Sequence, residues 1–250
     1  MTELALEYAI RTEVGPVRAD NEDTAFASPR MAAVADGVGG AAAGEVASRA
    51  AIDALVHLDK CHLDRPVADA LRTAIAAGNA AIGFIAEARP RTAGMSTTLT
   101  AVALDGDRYA VANIGDSRTY LLRDGTLERL TRDDSLVQRL VDSGAVTEAE
   151  ARHHPQRSLV LAALDGDPGR PPPEIATVAA RAGDRLLLCS DGLSAALDDD
   201  AIAPLLAIPD RRTSAERLVS AALDAGARDN VSVVVADVTP SGDGDATSWA

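Results

Sequence analysis

Three aspartates close apolar, strand-like runs and stand beside Gly or Asn. They are Asp36 in Ala33-Val34-Ala35-Asp36-Gly37, Asp191 in Leu188-Cys189-Ser190-Asp191-Gly192, and Asp229 in Arg228-Asp229-Asn230, just ahead of Val231-Ser232-Val233-Val234-Val235. They are far apart in sequence, and a fold that brings strand ends together would gather them. Gathered carboxylates repel one another unless a cation neutralises them. Hard divalent cations such as Mg²⁺ and Mn²⁺ take oxygen ligands. A further acidic segment, Arg18-Ala19-Asp20-Asn21-Glu22-Asp23, puts an Arg four residues before Glu22. Oxygen ligands for a metal with an Arg at hand suggest phosphate chemistry. Each turn also has a plainer reading, because Asp-Gly is a common turn dipeptide and recurs at Asp105-Gly106, Asp124-Gly125 and Asp165-Gly166. Asp36 and Asp191 differ in following near-continuous apolar runs. Such runs mark strands buried on both faces, and a polar turn there emerges from the core. Asp198-Asp199-Asp200 reads as a solvated helix start.

The elements that must position these residues are legible in outline. Residues 4–10, 24–28 and 31–35 read as strands. Residues 44–58 read as an amphipathic helix, with Ala47, Ala51, Ala54 and Leu58 on one face and Glu45, Arg49, Asp53 and His57 on the other. Pro66 opens a second helix, whose apolar stripe is Val67, Leu71, Ala74, Ile75, Gly78, Ile82 and Ile85. Strands 98–104 and 109–114 flank Asp105-Gly106-Asp107, and strands 119–123 and 127–130 flank Asp124-Gly125. With Gly115-Asp116-Ser117 between the two pairs, the stretch reads as an antiparallel meander. A short helix covers 135–142 and stops near Gly144. Residues 147–170 are polar and irregular, and Pro171-Pro172-Pro173 is a stiff spacer. Strands follow at 175–179 and 185–189. Thr213 with Glu216 forms a capping box for another helix, and 231–238 is the last strand. From about residue 239 the chain is rich in Gly, Asp and Ser and is expected to be disordered. This order does not alternate strand and helix, which disfavours a doubly wound parallel sheet. It predicts an α+β fold: a β-sandwich of two antiparallel sheets flanked by helices, one domain over 1–239 with a tail at 240–250.

Composition narrows the function classes. The chain has 250 residues, 47 % hydrophobic but only 2 % aromatic, so its core should be aliphatic and closely packed. A net charge of −14 argues against broad binding to nucleic acid or anionic membrane. There is no apolar run of membrane-spanning length and no basic-plus-apolar leader. A soluble, cytoplasmic monomer is the expectation. Cys61 and Cys189 make no disulfide framework, and Cys189 reads as a buried structural thiol.

Taken together, the motifs resemble a known family. Arg18-x-x-Asn21-Glu22-Asp23, Asp36-Gly37-Val38-Gly39-Gly40, Gly115-Asp116-Ser117-Arg118, Ser190-Asp191-Gly192 and Asp229-Asn230 occur in the order seen in metal-dependent Ser/Thr protein phosphatases, the PPM or PP2C family. The likeness covers nearly the whole chain. Residues 131–164, with Val137-Gln138-x-Leu140-Val141, His154-Pro155 and Arg157-Ser158, are similar to the flap of the bacterial branch that opposes Ser/Thr kinases. Arg18 argues against the stress-response branch, which generally lacks it.

The resemblance implies roles. Asp36 would bridge two Mg²⁺ or Mn²⁺ ions; Asp191 and Asp229 would complete one site, while Glu22 and the Gly37 carbonyl face the other. Asp116 with Asp191 would hold a third, weaker ion. Arg18 would grip the phosphate with its planar fork, Asp23 would support the ligands, and Thr97 and Thr98 would belong to the supporting sheet. Metal-assisted attack of water needs no Ser or Cys nucleophile. Two departures stand out. Val38 occupies the place of a His proposed as general acid in eukaryotic members, which leaves water, His153 or His154 for that task. Ala162 stands where many bacterial members carry Arg. The implied partners are phosphoproteins, including a Ser/Thr kinase. The rival readings are a catalytically weak phosphoprotein-binding module and a small-molecule phosphomonoesterase. Retention of Asp36, Asp116, Asp191 and Asp229 together argues against the first.

Overall fold

The computed structural model describes residues 3–38, 43–61, 65–170 and 172–241. Gly39, Gly40, Pro171 and the tail from residue 242 lie outside the described residues. The strands are β1 (Leu4–Glu13), β2 (Asp23–Ala27), β3 (Met31–Val38), β4 (Ser96–Thr97), β5 (Leu99–Asp105), β6 (Arg108–Ile114), β7 (Arg118–Arg123), β8 (Thr126–Arg129), β9 (Ile175–Ala179), β10 (Arg185–Cys189) and β11 (Val231–Pro240). The helices are α1 (Gly44–Asp59), α2 (Val67–Ala88), α3 (Leu136–Asp142), α4 (Glu148–Arg152), α5 (Asp191–Ser194), α6 (Asp199–Leu206) and α7 (Arg211–Asp224). One sheet has the order β1-β11-β10-β7-β8. The other has β2-β3-β5-β6-β9, with β4 on β3. All pairings are antiparallel.

Side-chain alternation on these strands builds four layers. On β3, Ala33 and Ala35 face α1 and α2, while Ala32 and Val34 face the opposite sheet. On β11, Val234 and Ala236 enter the space between the sheets, while Val233 and Val235 lie under α5, α6 and α7. Both faces of these strands are buried, which is why their sequences are near-continuous apolar runs. Alanine lines both sides of the helix–sheet contact, Ala47 and Ala51 against Ala33, Ala101 and Ala112. The largest fully buried side chains are two tyrosines, Tyr109 and Tyr120; each buried hydroxyl has a carboxylate partner, Asp184 and Asp199 respectively.

Several expectations are corrected. The meander is two hairpins in different sheets: β5–β6 pairs onward to β9, and β7–β8 pairs onward to β10. The crossing occurs at Gly115-Asp116-Ser117, where Gly115 takes φ +99°. Alternation fixes which residues face a core but not which sheet a hairpin joins. β3 does not end at Ala35; it runs to Val38 because Gly37 and Val38 pair with Thr97 and Ser96 of β4. The helix over 211–224 is capped by Asp210, which accepts from the Thr213 amide at 2.7 Å and the Thr213 hydroxyl at 2.6 Å, so Thr213 and Glu216 form no capping box. The true box is Thr147 with Glu150, opening α4 inside a stretch expected to be irregular. Pro66 is the cap before α2 rather than its first residue. β11 continues to Pro240, opposite Leu4. Both cysteines are free, Cys189 buried.

A polar clamp joins the sheets away from the site. Asp184, with a side chain 1 % exposed, accepts from Tyr109 Oη at 2.6 Å, from Arg123 Nε and Nη2 at 2.6 Å each, and from the Arg181 amide at 2.8 Å. Burial opposes its ionisation, but the Arg123 and Tyr109 bonds prevail and hold its pKa below the usual carboxylate range. Asp184→Ala would strip Arg123 and Tyr109 of this partner, and is expected to cost about 3–5 kcal/mol. Tyr109→Phe should cost about 1–3 kcal/mol. Urea unfolding would check both; a loss under 1 kcal/mol for Asp184→Ala would show that the clamp does not bind the layers.

Candidate metal centre

The carboxylates collect where β2, β3, β10 and β11 end at one edge of the sandwich. Asp36 is 8 % exposed. Its carbonyl accepts from the Thr98 amide and the Thr97 hydroxyl, both at 2.8 Å, and its own amide donates to Thr98 Oγ1 at 3.2 Å. The backbone at Asp36 is thus held on the side away from β2. On the β2 side Asp36 is in register with Asp23. Asp191 opens α5 directly after β10. Asp229 precedes β11, and Asp116 lies at the crossing between the sheets, itself 8 % exposed.

Contacts from buried polar groups and close backbone approaches gather these loops. Asn230, 3 % exposed, donates to the carbonyls of Val14 at 2.8 Å and Asp20 at 3.0 Å, and accepts from the Glu22 amide at 2.8 Å. It ties the Arg18–Glu22 loop to the start of β11. Ser190 accepts from the Ser232 amide at 3.0 Å and donates to Asp23 Oδ2 at 2.8 Å. Ser48 of α1 donates to the Glu22 carbonyl at 2.6 Å. A side chain on Gly192 would lie 2.0 Å from the Asn230 carbonyl oxygen, and one on Gly37 would lie 2.4 Å from the Gly44 backbone. Asn230, Ser190 and Ser48 have no separate role in a reading of the motifs. Their only sequence signal is a small polar residue beside, or on a helix facing, an acidic one.

The structure places Asp23, Asp116, Asp191 and Asp229 within electrostatic reach of Asp36, and Glu22 within reach of Arg18. Asp36 is pushed well above the usual carboxylate pKa, first by burial and then by Asp23, Asp191, Asp116 and Asp229. Asp191 is raised by burial and by Asp229. Asp116 is pushed up to about 8, by burial and then by Asp191 and Asp133. Asp23 rises to about 7 through burial, against the bond from Ser190. Its Oδ1 is enclosed and has no hydrogen-bond partner. Arg18 Nη2 donates to Asp229 Oδ2 at 2.6 Å, and the guanidinium also feels Glu22 and Asp36. Among the described residues no three His, Cys, Asp or Glu side chains converge as a closed ligand set. The donor atoms are oxygen throughout, which suits a hard divalent cation.

His153 and His154 do not join this cluster. A groove of about 850 Å³ opens from Asp116 and Asp191 along the flap, and neither histidine lines it. His154 Nδ1 instead accepts from the Gln156 amide at 3.1 Å, a turn contact.

The raised pKa values have a consequence for stability. Asp23 and Asp116 keep protons in the fold up to about pH 7 and 8, whereas the unfolded chain releases them near pH 4. The fold therefore binds more protons across that window, and stability falls as pH rises through it. In chelator, the melting temperature at pH 8 should lie at least about 5 °C below that at pH 5.5. Calorimetry would check this, and an equal or higher value at pH 8 would contradict the burial of these carboxylates.

A family model described as protein phosphatase 2C matches residues 19–225. The serine/threonine protein phosphatase PstP of Mycobacterium tuberculosis is 52 % identical over 238 residues, covering 94 % of this chain and 45 % of PstP; this chain spans a little under half the length of that relative. The serine/threonine phosphatase stp of Listeria monocytogenes is 33 % identical over 246 residues, covering 93 % of this chain and 96 % of its own. Among solved structures, the catalytic domain of PstP in complex with two manganese ions gives a TM-score of 0.88 at 49 % identity, covering 94 % of this chain and 99 % of that one. The two-sheet architecture, the gathered carboxylates and these matches agree: the chain belongs to the protein phosphatase 2C family.

Proposed function

We propose that this chain is a metal-dependent protein phosphatase acting on phosphoserine and phosphothreonine. The observation that carries the reading is the cluster of buried carboxylates at one sandwich edge, with Arg18 beside it. Such a cluster repels a phosphate dianion unless cations stand between them. The enclosed, partnerless Asp23 Oδ1 fits a site that other groups complete. Family membership and the two manganese ions of the PstP catalytic domain support the same reading.

In this proposal Asp36, Asp191, Asp229, Glu22 and the Gly37 carbonyl would together hold two Mg²⁺ or Mn²⁺ ions, with Asp36 shared between them. Asp116 with Asp191 offers a place for a third, weaker ion. When bound, a cation pair supplies a nucleophile from water at neutral pH and stabilises the charge of an in-line displacement. Thr97 and Thr98 keep Asp36 from turning away. Arg18 engages Asp229 through one nitrogen, and the other donors of its fork are available to orient the phosphate. Val38 offers no proton, and with both flap histidines away from the groove, leaving-group protonation falls to solvent. The substrates would be phosphoproteins of a bacterial Ser/Thr kinase system, or the kinase itself. Two free cysteines fit a reducing cytoplasm. Among the described residues no helix is long and apolar enough to cross a membrane.

Phosphate release from a phosphothreonine peptide should depend on Mn²⁺ or Mg²⁺, stop with EDTA and return with Mn²⁺. Failure with both metals in a folded sample that binds Mn²⁺ would favour a phosphoprotein-binding module. Asp36→Asn should lower kcat by about 10²-fold or more, the scale on which one electrostatic element of an active site is felt; a near-normal rate would remove Asp36 from the centre. Arg18→Ala should raise KM more than it lowers kcat, as expected for a group that mainly holds the ground state. Equal losses would move Arg18 into the transition state.

A further inference from the structure

The groove opening from Asp116 and Asp191 is lined by charges of both signs, among them Arg152, Arg157 and Glu148 of the flap, and Asp198, Asp199 and Asp200 at the start of α6. In a chain of net charge −14, the stretch Arg152-His153-His154-Pro155-Gln156-Arg157 holds two arginines and two of the four histidines. These charges differ in how far the fold already engages them, and Asp200 and Glu148 make no ion pair among the described residues. Asp198 accepts from the Ala201 amide at 2.9 Å as the cap of α6, and Asp199 accepts from Tyr120 Oη at 3.1 Å. Among the other groove arginines, Arg118 donates to Asp133 through Nε at 3.0 Å and Nη2 at 2.7 Å, and Arg129 donates to Gln138 at 3.3 Å.

Arg152 and Arg157 have no carboxylate partner among the described residues. Glu148 stands four residues before Arg152 but forms no ion pair with it, and Glu150 is taken by the Thr147 amide and hydroxyl at 2.8 Å each. Both arginines sit on ordered backbone. Arg152 ends α4 behind its capping box, and the Arg157 amide donates to the His154 carbonyl at 3.1 Å. Two unengaged guanidinium forks, one at the end of α4 and one in the turn that follows, match a carboxylate in charge and shape. Their local field also counters the repulsion that an acidic chain exerts on an anionic substrate.

We infer that Arg152 and Arg157 form a subsite for an acidic side chain flanking the phosphorylated residue of the substrate. This rests on the phosphatase reading and names the kind of substrate it takes.

The test is a series of phosphothreonine peptides carrying Glu or Ala at one flanking position at a time, assayed at low ionic strength. The proteins compared are the unaltered chain, R152A/R157A and R152E/R157E. The quantity read is the ratio of kcat/KM for Glu over Ala within each protein, so any loss common to both peptides cancels. At one or two positions the unaltered chain should favour Glu by about fivefold, the scale of exposed ion pairs. The preference should shrink with added salt. It should vanish in the Ala variant and invert in the Glu variant. No preference at any position, or one that survives charge reversal, would overturn the inference. If the unaltered chain hydrolyses no peptide at all, the phosphatase reading fails. The same peptides titrated by fluorescence anisotropy then decide the subsite: Glu-selective binding lost in the variants would keep it, and equal binding would overturn it.

Discussion

The mutual repulsion of carboxylates kept out of water is the constraint around which this structure is arranged. Asp36, Asp116, Asp191 and Asp23 would each lower their energy by moving apart or into solvent, since burial and like charge both disfavour the ionised form. They stay because the backbone at each is fixed by other bonds. Asp36 is held by Thr97 and Thr98, and Asp191 follows a strand paired on both sides, by β11 and β7. Asp23 is pinned by pairing with β3 and by Ser190. Those bonds hold because three apolar layers keep the strands in place. The stability of the sandwich is what permits an arrangement that is locally unfavourable at neutral pH.

The flap is tied to the same structure at two points. At one end Leu164 exchanges backbone hydrogen bonds with Thr97, at 2.8 and 2.9 Å, and Thr97 in turn donates to the Asp36 carbonyl. At the other, Asp134 donates from its amide to the Gly115 carbonyl at 2.8 Å and accepts from the Gly115 amide through Oδ2 at 3.2 Å, next to Asp116. Leu161 closes the base by donating to the Asp134 carbonyl at 2.7 Å. Any force on the flap therefore reaches the backbone that carries Asp36 and Asp116. A peptide held by flap side chains would be referenced to the same backbone as the carboxylates.

Most of the fold could be read from the sequence because strands buried on both faces leave an unmistakable apolar run. Val231 to Val235 and Leu186 to Leu188 are examples, and the two-sheet sandwich with its flanking helices followed from their order. What could not be read was the assignment of hairpins to sheets. Local alternation is the same whether β7 continues beside β6 or crosses at Gly115, and only β9 and β10, more than fifty residues later, settle it. Asp36 and Asp191 were visible because each closes an apolar run, and Asp229 because it precedes one, whereas Asp116 and Glu22 were reached as ligands only through the family's motif order. The groups that gather them were not: Asn230, Ser190 and Ser48 look like ordinary turn or helix residues, and their role depends on partners up to 216 residues away. The capping box at Thr147 has the plain Thr-x-x-Glu spacing. It was obscured because its helix carries little apolar periodicity, whereas Thr213 and Glu216 have the same spacing within a helix that Asp210 had already begun.

Arg18 shows how this charge balance bears on chemistry. Its guanidinium lies on Asp229, half-exposed, between the carboxylates and solvent. A cation fixed there by an ion pair is already oriented by Asn230, which draws the loop bearing Arg18 toward β11. Because the pair is partly exposed it is weak, so under the proposed phosphatase reading a phosphate would compete for the fork without disturbing the buried network. Had Arg18 been buried like Arg123 on Asp184, releasing it would leave an uncompensated carboxylate in the interior at a cost of several kcal/mol. The two Arg–Asp pairs share a chemistry and differ in exposure. That difference suits one to binding a ligand and the other to holding the sheets together.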